Sequence, residues 1–131
     1  MKDLLCDGFQ ETVDELLVRH RSILDVVSKL QESDARITRA VAKAVTSCGC
    51  VRIEADKQRV PSEVNFRDLR SYMSTHLSGK LCEHCQEILD TEIGNHLFYL
   101  AGLCNLLDLN LYDVLIKEQN RLLTLGAFHF S

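Results

Sequence analysis

Helix breakers are scarce in this sequence. It has one proline, Pro61, and six glycines among 131 residues. Proline and glycine interrupt or weaken helices, so their scarcity favours helical structure. The length suits one domain. We therefore predict a single all-α helical bundle spanning residues 1–131, with tails at 1–8 and 127–131.

Long apolar runs and basic stripes are also absent. No apolar run approaches the roughly 20 residues of a membrane-spanning helix, and the longest candidate, Leu97 to Leu107, contains Asn105. The formal net charge is -4, without the basic stripe that is typical of nucleic-acid binders. The first residues do not follow a signal-peptide pattern. These absences predict a cytoplasmic protein that binds neither membranes nor nucleic acid.

Apolar residues recur every three or four positions along most of the chain, the spacing of one helical face. The pattern predicts a helix from Phe9 to Leu30, which continues or restarts at Asp34 and ends at Cys48-Gly49. Ser62 is a candidate N-cap for the next helix. The later helices are predicted over residues 62–77, 88–107 and 111–123.

The predicted helix at 88–107 is apolar on several sides, because Phe98, Tyr99 and Leu103 lie outside its main apolar face. A helix of this kind is buried in the centre of a bundle or in an oligomer interface. We therefore predict a homo-oligomer, either a dimer or a tetramer, with this helix near the interface.

Residues 51–60 have a different pattern. Val51, Ile53 and Ala55 alternate with charged residues, which is the period of a strand. One short strand has no partner of its own. The segment near 51–60 is therefore predicted to be either a loop or an extended arm that pairs with another subunit.

Four cysteines form two close pairs, Cys48-Gly49-Cys50 and Cys82-Glu83-His84-Cys85. Zinc binds four thiolates at tetrahedral corners, and pairs close in sequence can supply them. The sequence thus indicates a zinc site, in which Cys85 gains thiolate stability from a helix N-terminus and His84 is a substitute ligand. Three other interpretations stay open: buried thiols, an iron–sulfur cluster and a reversible disulfide.

One segment resembles the MazG-like nucleotide pyrophosphohydrolases. The similar residues are Glu92-Ile93-Gly94-Asn95-His96-Leu97-Phe98-Tyr99-Leu100, then Leu106-Leu107-Asp108-Leu109-Asn110-Leu111, and then Lys117 and Asn120. The resemblance implies an all-α bundle, usually dimeric or tetrameric. It also implies Mg²⁺-dependent hydrolysis of a nucleoside triphosphate to a monophosphate and pyrophosphate.

The family holds its metal with acids of an EExxE and an ExxD motif, and acids at this spacing share one helical face. Here Glu92 matches the first acid of ExxD, and Asn95 occupies the position of the aspartate. Glu32 matches one acid of EExxE, and Asp34 is a shifted acid. The resemblance implies Glu32 and Glu92 as catalytic and metal-binding residues, with Asp34 and Asn95 as further magnesium ligands.

The same resemblance implies that Lys117 and Asn120 contact nucleotide phosphates; the alternative is that both are surface residues. Glu87 and Asp90 repeat the ExxD spacing, either as a slipped metal site or as the solvated rim of the helix. Two functions follow from the sequence. One is a divergent magnesium-dependent pyrophosphohydrolase, and the other is an inactive nucleotide-sensing or interaction module stabilised by zinc at the four cysteines.

Overall fold

The computed structural model describes residues 4–130, and the side chains of residues 4–126. Its architecture is helical, which confirms the predicted all-α class. Two short strands form an antiparallel sheet. The elements are α1 (Leu4–Leu16), α2 (Ile23–Lys43), β1 (Val51–Ile53), α3 (Phe66–Leu69), β2 (Leu77–Gly79), α4 (Glu83–Leu106) and α5 (Leu111–Phe130).

The central helix is α4, which packs against both α2 and α1, while α5 packs against α1. Gly102 on α4 leaves room for the side chain of Leu17, which directly follows α1, because a Cβ there would lie 2.7 Å from Leu17 Cδ2. Apolar side chains from these helices form the core. Its buried members include Val13, Leu17, Val26, Leu89, Ala101 and Cys104.

The helices α2 and α4 run antiparallel. Cys48, just beyond α2, lies beside Cys82 at the start of α4, and Ser33 contacts His96 halfway along both helices. The Ser33 hydroxyl donates to the Leu30 carbonyl at 2.7 Å. Because a hydroxyl has one hydrogen, Ser33 accepts from His96 Nδ1–H across the 2.9 Å contact. This partly buried bond links the two helices near their middle.

A second polar network joins α1 to the bend between α4 and α5. Gln10 is buried, and its amide donates to Asn105 Oδ1 and to the Leu109 carbonyl. The Asn105 amide donates back to the Gln10 carbonyl. At this bend, α4 and the 111–126 part of α5 differ in direction by 103°. No single described helix is long and apolar enough to cross a membrane, although α4 and the 111–126 part of α5 meet that test as a bent pair.

The N-terminal third differs from the sequence prediction. The helix predicted over 9–30 is broken between α1 and α2, where the Ser22 side chain caps α2 by accepting from Leu24 N–H. Residues 4–8, predicted as a tail, belong to α1, and the backbone of residues 127–130 belongs to α5. Residues 1–3 and 131 lie outside the described part of the chain.

The helix predicted over 62–77 is reduced to α3 and one 3-10 turn. Asn65 rather than Ser62 caps α3, because its side chain accepts from Asp68 N–H. Residues 73–76 have no regular structure and lead into β2, in which Gly79 pairs with Val51 of β1. Residues 51–53 are therefore a strand whose partner lies later in the same chain, whereas residues 54–60 have no regular structure and form a loop, one of the two predicted alternatives.

Candidate metal centre

The end of α2 positions the first cysteine pair. A π-helical turn, Ala44–Cys48, follows α2, and Gly49 N–H closes it by donating to the Ala44 carbonyl at 2.8 Å. Gly49 then adopts a left-handed φ of 80°, which glycine tolerates without steric conflict. The helix thus ends at Cys48-Gly49 as predicted. The turn reverses the chain so that Cys48 and Cys50 both reach one group of sulfurs.

The sheet and the start of α4 position the second pair. Because Val51 pairs with Gly79, the residue before β1 lies close to the residues after β2. Cys82 is the N-cap of α4, and its sulfur accepts from Cys85 N–H at 3.4 Å. The sulfur thereby fills the capping role that a serine or aspartate oxygen usually performs.

The four sulfurs form one compact group. All of them lie within 4.8 Å of one another, and those of Cys48 and Cys82 are 3.7 Å apart. Four thiolates bound to one zinc at about 2.3 Å stand about 3.8 Å apart. Among the described side chains, this is the one group of three or more histidines, cysteines and acids with such proximity. The two cysteine pairs therefore meet, and together they can hold a metal ion such as zinc.

The cluster rests on a small apolar core. Ala44, Val51 and Cys85 are buried there, and Val45 packs against them. The four clustered cysteines are free thiols, and Cys48 is the one exposed member of the cluster. An ion at the centre of the group would be shielded from water on the core side and reachable from the Cys48 side.

The clustered thiols differ in acidity. The Cys85 backbone N–H and the neighbouring thiols stabilise the Cys82 thiolate, which lowers the pKa of Cys82 to about 7. Cys85 donates to Cys82 and is buried, so the pKa of Cys85 is raised to about 12. The hydrogen bond to Cys82 also raises the pKa of Cys48. The prediction that the helix N-terminus favours the Cys85 thiolate was wrong, since it is Cys82 that gains.

His84 lies outside the sulfur group, although it stands between two of its members in sequence. Its side chain is exposed. With Lys43, Cys48 and Ile88 it lines a cavity of about 260 Å³ beside the cluster. The four cysteines would be enough for a tetrahedral zinc site without it.

Two of the residues implied as magnesium ligands share a cavity. Glu32 and Asn95 line a space of about 200 Å³ between α2 and α4. The Glu32 carboxylate pairs with Arg36 at 3.1 Å and with Lys29 at 3.3 Å. Hydrogen bonds from Arg36 and Lys29 lower the pKa of Glu32. Two cations therefore already balance the charge that would attract a metal.

The other two implied ligands lie elsewhere. Glu92 lines a different cavity, of about 300 Å³, together with Glu87. Its Oε2 atom is buried and has no hydrogen-bond partner among the described residues. Asp34 is exposed, and two residues correspond to about 200° around a helix, so it points away from Glu32. The described carboxylates do not form a close group of three.

The implied phosphate ligands, Lys117 and Asn120, are exposed on α5. This helix packs against α1, and neither residue lines the cavities of Glu32 and Glu92.

The role of Gly79 could not be predicted from the spacing of apolar residues. Its φ is 86°, and a Cβ at this position would lie 2.5 Å from the Cys50 carbonyl oxygen. Glycine is thus required where β2 approaches the first cysteine pair. The only local signal is the glycine itself, which follows the helix predicted over 62–77.

The fold and the cluster together define an all-α protein with a candidate four-cysteine metal centre. Comparison of the chain with known protein families, with curated proteins and with solved structures finds no match. The similarity to MazG-like proteins stays a prediction from the sequence.

Proposed function

We propose that this chain is a non-catalytic helical protein in which the four clustered cysteines bind one structural zinc ion. The observation that carries the proposal is the approach of all four sulfurs to within 4.8 Å of one another. Structural zinc sites have four protein ligands, whereas catalytic zinc keeps one position open for water or substrate. Four cysteines fill every position, which favours a structural role.

The ion would link the end of α2 to the start of α4. Two of its ligands follow α2 and two lie at the start of α4, and the intervening residues 54–76 contain little regular structure. Metal binding contributes free energy to folding, because the unfolded chain has no preformed site. The antiparallel pairing of α2 and α4, with its Ser33–His96 bond, therefore gains support from the metal at one end.

One ion fits the sulfur spacing better than an iron–sulfur cluster does. A cluster inserts iron and sulfide atoms between the cysteine sulfurs, which separates them more widely than a single shared ion. The interpretation as four buried thiols leaves unexplained why Cys48 is exposed and yet belongs to the group. The third interpretation, a reversible disulfide within one pair, is not favoured either, because the four cysteines are free thiols.

Metal analysis tests the proposal directly. Protein purified without chelator is expected to contain about one zinc per chain, and cobalt in its place should give the absorption spectrum of a tetrahedral thiolate site. A zinc content below about 0.2 per chain after purification would contradict a structural ion. A brown protein containing iron and sulfide would show instead that the four cysteines hold a cluster.

A second candidate is the divergent magnesium-dependent pyrophosphohydrolase, since Glu32 and Asn95 line one cavity. It ranks second because Glu32 is already paired with two cations and Glu92 lines another cavity. In that reaction Lys117 and Asn120 would contact the nucleotide phosphates.

We expect no pyrophosphate release from a panel of nucleoside triphosphates with Mg²⁺ or Mn²⁺. The residues placed in the candidate active site do not converge on one ion, and a hard divalent cation needs several oxygen ligands. Turnover that disappears in Glu92→Gln but persists in the neighbouring Glu87→Gln would establish the enzyme and overturn the non-catalytic assignment.

A further inference from the structure

The four clustered cysteines differ in how far solvent reaches them. Cys48 is exposed, Cys50 and Cys82 are half-buried, and Cys85 is buried. Cys48 and Cys85 both border the cavity of about 260 Å³ beside the cluster, but Cys85 exposes only 7% of its surface. A small oxidant that enters from solvent therefore meets the Cys48 sulfur first.

The Cys82 sulfur is well placed to react with that of Cys48. The two atoms are 3.7 Å apart, so a movement of less than about 2 Å brings them to the S–S distance of a disulfide. Cys50 is a poorer partner. Its thiol donates to the Ala44 carbonyl at 3.8 Å, and a disulfide between cysteines only two positions apart closes a small, strained ring. Cys82 is thus the best-placed partner for Cys48.

We propose that Cys48 and Cys82 form a peroxide-sensitive pair: hydrogen peroxide joins them in a disulfide, and the zinc ion is released. This inference rests on the proposed zinc site, because the metal holds all four sulfurs as thiolates, which are the reactive form. After oxidation, only Cys50 and Cys85 remain as ligands. A structural zinc site needs four, so the reduced chain binds zinc and the oxidised chain loses it.

The reaction has two steps, and hydrogen peroxide is its oxidant. The Cys48 thiolate attacks one peroxide oxygen, the O–O bond breaks and hydroxide leaves, which makes Cys48 a sulfenic acid. The Cys82 thiolate then attacks the Cys48 sulfur, and a second hydroxide leaves as the S–O bond breaks. Two protons from solvent convert both hydroxides to water. Lys43 and His84 border the same cavity, and their N–H groups can hydrogen-bond to the departing oxygen.

The disulfide would keep the two helices linked after the metal has left. Cys48 follows α2 and Cys82 precedes α4, and the two cysteines are 34 positions apart. A cross-link over such a loop stabilises the folded state mainly by restricting the unfolded chain. The oxidised protein should therefore stay folded without zinc, and reduction should restore the metal site.

Peroxide treatment of the zinc-loaded full chain tests this inference. Zinc content is measured first. A chromophoric chelator then records the release of zinc, and mass spectrometry of peptides locates any disulfide. We expect the bound zinc to be released together with the formation of a Cys48–Cys82 disulfide, while circular dichroism shows unchanged helix content. A thiol reductant and added zinc should restore the starting protein.

Two histidine variants separate Cys48 from the rest of the cluster. Cys48→His removes the sulfur that meets peroxide but keeps a zinc ligand, because three cysteines and one histidine also form structural zinc sites. Its zinc release should be at least about 10-fold slower than that of the wild type, since oxidation follows the exposure of a thiolate. Cys50→His is the matched control. It has the same ligand types but retains Cys48 and Cys82, so it should release zinc at the wild-type rate.

The zinc site and its oxidation fail in different ways. A chain that purifies without zinc contradicts the proposed function, and the release of zinc with it. A chain that contains zinc but keeps it under peroxide, or that loses it while forming a Cys82–Cys85 disulfide, agrees with the proposed function and overturns the role of Cys48. Equal release rates in Cys48→His and the wild type would overturn that role too. If a histidine variant binds no zinc, the disulfide found in the wild type decides.

Discussion

Replacing Cys85 with alanine is expected to abolish stoichiometric zinc binding and to lower the midpoint of thermal unfolding by roughly 10–20 °C. A ligand present at 1,000 times its dissociation constant stabilises the folded state by about 4 kcal/mol, which corresponds to a shift of this size in a domain of this length. Cys85 is buried beside Ala44 and Val51, so no water-exposed group can replace its sulfur. Calorimetry and metal analysis measure the two effects together.

Cys104→Ala is the control for the loss of a buried sulfur. Cys104 is 6% exposed in the core, away from the cluster, and its thiol has a raised pKa because it is buried. This variant should lose about 1 kcal/mol from reduced packing and keep its zinc. Chelator should lower the unfolding midpoint of the wild type and of Cys104→Ala, but not that of Cys85→Ala. Equal chelator sensitivity in all three proteins would contradict a metal at this site.

The cysteine pairs were the part of the candidate site that was easiest to recognise in the sequence. Two pairs of cysteines close in sequence are typical of a metal site. Gly49 also indicated the helix end that the structure confirms. Sequence alone did not show that the pairs meet, because their approach depends on the pairing of Val51 with Gly79. The two residues are far apart along the chain, and strand pairing at such separation leaves no periodic signal.

The helices, too, were predicted correctly where local apolar spacing determines them, and wrongly where contacts with distant residues do. The periodic apolar pattern predicted α4 and the start of α5 well, because a buried helix repeats its core side every three or four residues. It failed between α1 and α2, where Ser22 caps a new helix without any glycine or proline. It also failed at 73–77, where the chain leads into the pairing of β2 with β1 in place of the predicted helix. Local spacing predicts a helix, but it cannot detect a competing partner elsewhere in the chain.

The acids illustrate the limit of a motif. Glu32 and Asn95 do line one cavity, as convergence of two helices on a site requires. The motif could not reveal that Lys29 and Arg36, one turn away on either side, already hold the Glu32 carboxylate. Their ion pairs lie on the surface of α2, where such pairs form from helix spacing alone. A carboxylate at a motif position can thus already be paired with basic side chains of its own helix, as Glu32 is.

Replacing Gly79 with alanine is the second substitution from which we expect a large effect. The added Cβ would lie 2.5 Å from the Cys50 carbonyl oxygen, and the backbone has a φ of 86°. A left-handed conformation costs alanine about 1–2 kcal/mol, and moving a backbone oxygen adds strain, so the total loss of stability should reach roughly 2–4 kcal/mol. Because Cys50 must shift with its carbonyl group, zinc affinity should also fall by about 10–100-fold, as it does when supporting contacts of a metal site are lost.

Gly94→Ala is the control, because we expect it to raise stability where Gly79→Ala lowers it. Gly94 lies in the middle of α4, and a Cβ there meets nothing within 4 Å. Alanine should therefore stabilise the helix by about 0.5–1 kcal/mol and leave zinc affinity unchanged. Denaturant unfolding and competition with a zinc chelator measure both quantities. If Gly79→Ala matched Gly94→Ala in stability and in zinc affinity, the close approach of β2 to Cys50 could not be what holds the two cysteine pairs together.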